Sequence, residues 1–214
     1  MLRRIFAVVA GFSLLTGCTS AVSHAYVNKV TTTVPEATTG SSPPAPIAFR
    51  GAGFDVHTAG TVSQATFDAT WAGVLATLNR YLEAAVLTPL RTGGPAGDLS
   101  PLFTPLAVDR VTTGPDRAAF IDEGVPQVTD LHADAAVATL TALAGADGSV
   151  SVVDASVDLR LTAEANGAPV SVTRTGDMVL MPDGGNSGSW RIDAYDITAR
   201  RTFAGAATTT TARS

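Results

Sequence analysis

Asp130, His132 and Asp134 alternate along the chain, so on a strand all three side chains would project from one face. Two carboxylates around an imidazole suit acid and base work or a metal ligand set. Against this, no further histidine stands near them in sequence, and alternating polar residues are also what any solvent-facing strand presents. The second reading is preferred, and no metal is expected. The single cysteine, Cys18, offers different chemistry, because a lone thiol has no intramolecular disulfide partner. The chain has no Gly-x-Ser-x-Gly elbow, no His-Glu-x-x-His, no phosphate-binding loop and no dinucleotide fingerprint, so neither a catalytic residue nor a cofactor is expected. Asp183 to Gly188 is glycine-rich but lacks the spaced acidic ligands and closing Glu of a calcium loop, and reads as a hairpin loop.

Cys18 gains its meaning from what precedes it. Arg3 and Arg4 form a short positive start, and Ile5 to Leu15 is an apolar run broken by Gly11 and Ser13. That run is well short of the roughly 20 residues a spanning helix needs. Leu15-Thr16-Gly17-Cys18 then resembles, at all four positions, the cleavage and acylation box of bacterial lipoproteins. The resemblance implies a signal peptide over residues 1–17, a diacylglyceryl thioether on Cys18 and anchorage on the extracytoplasmic face of the cell membrane, a further acyl group on the new amine being left open. Whether export uses the general or the twin-arginine route stays open, since Arg3-Arg4-Ile5-Phe6 also resembles part of a twin-arginine signal.

Composition narrows the partners. The 14 Lys and Arg include Arg3 and Arg4, so the part beyond the leader carries 12 basic against 19 acidic residues. A phosphate backbone requires clustered cations, and Arg200-Arg201 is the only tight basic pair after the leader, which argues against nucleic acid. The same balance offers no polybasic attraction to lipid headgroups, so membrane attachment rests on the acyl group. Lysine occurs once, at Lys29, while Ala, Thr, Val and Gly dominate, a composition similar to that of actinobacterial proteins.

Residues 18–60 are rich in Thr, Ser, Pro, Ala and Gly and read as a tether. Thr61-Val62-Ser63-Gln64 has the pattern of a capping box, with Thr61 as cap. From there an amphipathic helix is expected to run to Pro89, with Phe67, Trp71, Val74, Leu75, Leu78, Tyr81, Leu82, Ala85 and Val86 on the buried side and Thr77, Arg80 and Glu83 opposite. Short helices are expected around Leu102, Phe103 and Leu106 and between Pro115 and Glu123.

Beyond this the period becomes two. Val153 to Leu161 alternates with polar residues, Asn166-Gly167 signals a hairpin into a strand through Val170, Val172, Met178 and Leu180, and a last strand runs from Trp190 to Arg200 with Trp190, Ile192 and Ala194 on one side. Thr129 to Leu143 is ambiguous between helix and strand and is taken as a fourth strand. The domain is thus expected over 61–203, with 204–214 a disordered tail.

The fold class expected is α+β: a long N-terminal amphipathic helix plus short helices packed on a curved antiparallel sheet of about four strands. With the terminal strand Trp190-Arg191-Ile192-Asp193-Ala194-Tyr195-Asp196, this order resembles the nuclear transport factor 2-like fold, the cystatin-like arrangement being a close alternative. The resemblance implies a cone between helix and sheet, which here would be lined by Trp71, Leu75, Leu78, Tyr81, Leu82 and Trp190. Three functions follow as expectations. The chain is a non-catalytic accessory or protein-interaction module of the envelope, a carrier of a hydrophobic small molecule or lipid, or an isomerase- or cyclase-like enzyme of the same fold. The first is preferred, its partner being another envelope protein.

Overall fold

A computed structural model of the protein describes residues 45–184 and 186–214. The leader, the acylation box with Cys18 and most of the expected tether lie outside the described residues. Strand β1 (Arg50–Thr58) leads into α1 (Gln64–Tyr81), a π-helical turn (Leu82–Leu87), α2 (Thr88–Thr92), a 3₁₀ turn (Ser100–Leu102), α3 (Pro105–Thr112) and α4 (Arg117–Phe120). Five strands follow: β2 (Thr129–Ala144), β3 (Val150–Ala165), β4 (Ala168–Asp183), β5 (Asn186–Phe203) and β6 (Ala206–Arg213).

The strands make one six-stranded sheet in chain order, β1 to β6. β1 is parallel to β2 and every later pair is antiparallel. This corrects the expected antiparallel sheet of about four strands and the transport-factor-like cone built on it. A parallel neighbour requires a long crossover, and the helical segment between Thr58 and Thr129 supplies it. Two edge strands were hidden by composition. In β1, Gly51 and Gly53 dilute the pattern, yet Phe54 and Val56 turn inward against Leu140 and Ala142, so residues 50–58, expected as tether, form a strand. In β6 the run Thr208 to Thr211 is β-branched, which suits a pleated ladder, and it pairs with β5 where a disordered tail was expected. The hairpin into β6 turns on Ala204-Gly205, both in the left-handed region (φ 48° and 81°), the same geometry as Asn166-Gly167 (φ 52° and 75°) but without the Asn that announces it.

Local chemistry shifts several details. Ser63, not Thr61, caps α1, its Oγ accepting the Thr66 N–H at 3.1 Å. Pro89 does not end the rod, which continues to Gly93 in the left-handed region. The π-helical turn takes up the irregularity: Thr88 N–H reaches back to Glu83 O, and the carbonyls of Ala84 and Ala85 accept from Gly97 and Asp122 instead, at 2.9 and 3.0 Å. Thr77, expected on the wet side, is buried and donates to Trp190 O at 3.1 Å. Leu106 is exposed. In β2 the buried face is Ala138, Leu140 and Ala142, while Val137 and Leu143 lie on the open face. A bulge at Asp193 shifts the register of β5, so that Tyr195, Ile197 and Ala199 follow Trp190 and Ile192 onto the buried side in place of Ala194.

The helices cover one face of the sheet, α1 lying on β5, β3 and β1. The opposite face alternates Asp, Ser, Thr and Arg, for example Asp154, Ser156, Asp158, Arg160 and Thr162 on β3. At the centre of the packed face Tyr81, Phe103, Phe120 and Tyr195 meet edge to face, with ring centroids 4.6 to 6.4 Å apart.

Candidate functional site

The six residues expected to line a cavity are brought together, but as packing. Leu78, Tyr81, Leu82 and Trp190 are fully buried in the core, and Trp71 and Leu75 pack against its margin. Trp190 lies so close to α1 that a Cβ on Gly73 would come within 2.7 Å of its Cδ1. Trp71 fills the space over Gly51 of β1 and stacks obliquely on Phe54, centroids 5.6 Å apart. Side chains therefore occupy the helix–sheet interface at these positions, and none of the six borders the hollow described below.

Asp130, His132 and Asp134 sit at the start of β2, where register shifts on both sides of His132 interrupt the alternation. His132 Nε2 lies 2.7 Å from Thr162 Oγ1, and its Nδ1 lies 2.8 Å from the carbonyl oxygen of Asp130. The Thr162 hydroxyl is also 3.2 Å from Asp134 Oδ2. The Asp130 carboxylate takes no part in these bonds; its residue contributes a carbonyl and a left-handed turn (φ 51°). His132 and Asp134 are 66% and 50% exposed, so water screens the group and its interactions are weak. No group of three His, Cys, Asp or Glu side chains that could hold a metal occurs among the described residues.

The most concentrated buried chemistry lies elsewhere, around the end of α4. Asp122 is 0% exposed and is gripped by Arg174 of β4, 1% exposed, and Arg201 of β5, 16% exposed. Arg174 Nη1 lies 2.6 Å from Asp122 Oδ2 as an ion pair. Arg201 donates Nε to Asp122 Oδ1. The same side chains satisfy the carbonyls that a helix end leaves without partners. Arg201 Nη2 donates to Ala118 O and Ile121 O at 2.7 and 2.8 Å, Arg174 Nε to Ala119 O at 3.1 Å, and Tyr81 Oη to Phe120 O at 3.2 Å. Two cations at a helix C-terminus also complement its dipole. Asp122 is held in register by the bond from its N–H to Ala85 O, so the carbonyl left over at the π-helical turn fixes the carboxylate in the core.

Burial pulls the Arg174 guanidinium toward neutrality, but Asp122 and Tyr81 outweigh it and the side chain holds its proton more firmly than usual. Burial pushes the Tyr81 phenol up, with Arg174 acting in the opposite direction. The phenol is therefore a donor at neutral pH and not a base.

Beside this cluster lies an open hollow of about 440 Å³, bordered by Arg117, Ala118, Ile121, Glu123, Arg201 and Thr208 among others. Arg117 pairs with Glu123, whose carboxyl is held below its usual range first by the Ala96 N–H, 2.9 Å away, and then by Arg117. Sequence reasoning passed over Asp122, Arg174 and Arg201. One signal was present: Arg174 shares the inward parity of Val172 and Met178, and a charge at an inward strand position implies a buried partner. Arg201 was noted only as half of a basic pair.

Set against protein-family models, curated proteins and solved structures, the chain finds no match in any of the three.

Proposed function

We propose that this chain is an exported, lipid-anchored module of the bacterial cell envelope that works by binding a partner there and not by catalysis. The observation that carries the reading is the sequence of the leader, Arg3-Arg4, then the apolar run, then Leu15-Thr16-Gly17-Cys18, standing before a body in which Phe49 is the first buried hydrophobic residue among those described. A thioether-linked diacylglycerol at Cys18 gives a firm hold on the membrane, where a single chain would give a marginal one. The intervening residues, rich in Thr, Ser and Pro, are read as a spacer that carries the body clear of the lipid.

Binding is preferred to catalysis because the acidic and phenolic groups of the buried cluster are engaged in holding the fold. Asp122 neutralises arginines, the arginines and Tyr81 close the end of α4, and Tyr195 donates to Asp116 at 2.7 Å. The sheet meanwhile leaves an open face, with hydroxyl and acidic side chains on β3, as the surface on which a partner is to be sought. The test is fractionation of cells expressing the full chain, combined with cross-linking. The native chain is expected in the membrane fraction and Cys18→Ser in the soluble one. Tyr81→Phe, Asp130→Asn and His132→Gln should each keep the fold and the cross-linked partner. A Cys18→Ser protein that stays with the membrane removes the anchor, and loss of the partner in folded His132→Gln moves the function to that surface.

A further inference from the structure

We infer that the hollow beside α4 is a binding site for an oxyanion, with phosphate as the simplest member of the class. The cluster around it has more cationic donors than the protein satisfies. Among the described residues Arg117, Arg174 and Arg201 face two carboxylates, Asp122 and Glu123, so one positive charge is left over there. Asp122 is the sole carboxylate for two guanidiniums that are buried or nearly so, and a cation taken from water without a full counter-charge is costly. Arg201 borders the hollow with its Nε given to Asp122 and its Nη2 given to two carbonyls, while its Nη1 has no acceptor among the described residues. Arg117, its Nη1 given to Thr112 O and its Nη2 to Glu123, borders the same space, as does Thr208. A guanidinium edge, a second guanidinium shared with Glu123 and a threonine around an open volume of this size offer donors for a tetrahedral oxyanion, with charge-assisted hydrogen bonds as the source of affinity. In a chain of net acidic character, this local surplus selects anions by charge and by donor geometry.

Glu123 sets the affinity. Paired with Arg117, it competes with the anion for that guanidinium, and a ligand must share or displace it. The site is independent of Cys18 and goes beyond the anchored-module reading, naming a ligand class that the reading leaves open.

The test is titration of the full chain with inorganic phosphate at fixed low ionic strength, followed by amide chemical shifts. Saturable shifts centred on Ala118, Ile121 and Thr208 are expected, with a Kd of about 1 mM for a few charge-assisted contacts at a partly exposed site. Two variants should move it in opposite directions. Arg117→Gln should weaken binding about three- to tenfold, and Glu123→Gln, which keeps an acceptor for the Ala96 N–H, should tighten it by a similar factor. Each variant is first shown to be folded by circular dichroism; because the expected changes are opposite, general destabilisation cannot mimic both. A second arm replaces the free ion with phosphatidylglycerol vesicles, phosphatidylcholine vesicles serving as the neutral comparison. Saturation by vesicles alone assigns the oxyanion to a lipid headgroup, and saturation by free phosphate assigns it to a soluble ligand. Unsaturable shifts in both arms, or affinities indifferent to both substitutions, overturn the site. That failure would leave the anchored-module reading standing, because the latter is decided at Cys18.

Discussion

Replacing Asp122 by Asn tests whether the buried cluster is held by one carboxylate shared between two cations. The amide keeps the size and one acceptor but removes the negative charge, leaving Arg174 fully buried and Arg201 largely buried against each other. Breaking a buried ion pair by removing one partner costs about 3–5 kcal/mol, most of it the penalty of the charge left behind. Arg174→Met is the informative contrast. It leaves Asp122 matched one to one with Arg201, and its main loss is the bond to Ala119 O, whose unsatisfied carbonyl costs about 1–3 kcal/mol. Asp122→Asn is therefore expected to be the more damaging change, by about 2 kcal/mol, although it alters fewer atoms. Urea unfolding of the full chain carrying Cys18→Ser, with a common slope for all variants, gives both values. If Asp122→Asn costs less than Arg174→Met, the carboxylate is not the neutralising centre and the argument for surplus positive charge beside the hollow fails with it.

Three further expectations concern packing and titration elsewhere in the fold. Gly73→Ala should destabilise by about 1–3 kcal/mol despite the better helix propensity of Ala, because the new Cβ would meet the buried ring of Trp190 at 2.7 Å; a neutral or stabilising result in thermal unfolding would show that the ring can yield. Burial, reinforced by Asp177, pushes the Asp154 carboxyl above its usual range, so the folded state binds its proton more readily than the unfolded chain does. Ionised Asp154 thus opposes folding at neutral pH, and Asp154→Asn should raise stability by a few tenths of a kcal/mol there, the gain fading as pH falls and Asp154 itself becomes neutral. The Tyr195 phenol is pushed up to about 12 by burial and its bond to Asp116, so the unfolded chain loses this proton at lower pH than the folded one. Stability should accordingly decline between about pH 10 and pH 12, and Tyr195→Phe should flatten that decline in a pH series of melting temperatures.

How much of this was legible in the sequence depends on whether a residue's neighbours in space are also its neighbours in sequence. The strand Val153 to Leu161 and the turn at Asn166-Gly167 can be read because alternation and left-handed turn preference are local properties. β1 and β6 could not, since a strand with two glycines and a run of threonines become strands only through the partners that pair with them. The inward side of β5 was mistaken beyond Asp193 because a bulge is invisible to a period of two. The buried cluster draws on α1, the segment after α4, β4 and β5, so that Tyr81, Asp122, Arg174 and Arg201 meet only in the fold. Pro89 was read as a stop, whereas the helical path continues past it and the Ala85 carbonyl, which has no proline N–H to accept, receives the Asp122 N–H.

Mass spectrometry of the N-terminal peptide from protein purified out of native membranes is the most direct measurement. An anchored envelope module requires the peptide to begin at Cys18 with a diacylglyceryl group on its sulfur. A mature chain that begins elsewhere, or a Cys18 thiol recovered free, would contradict the anchor and the role built on it.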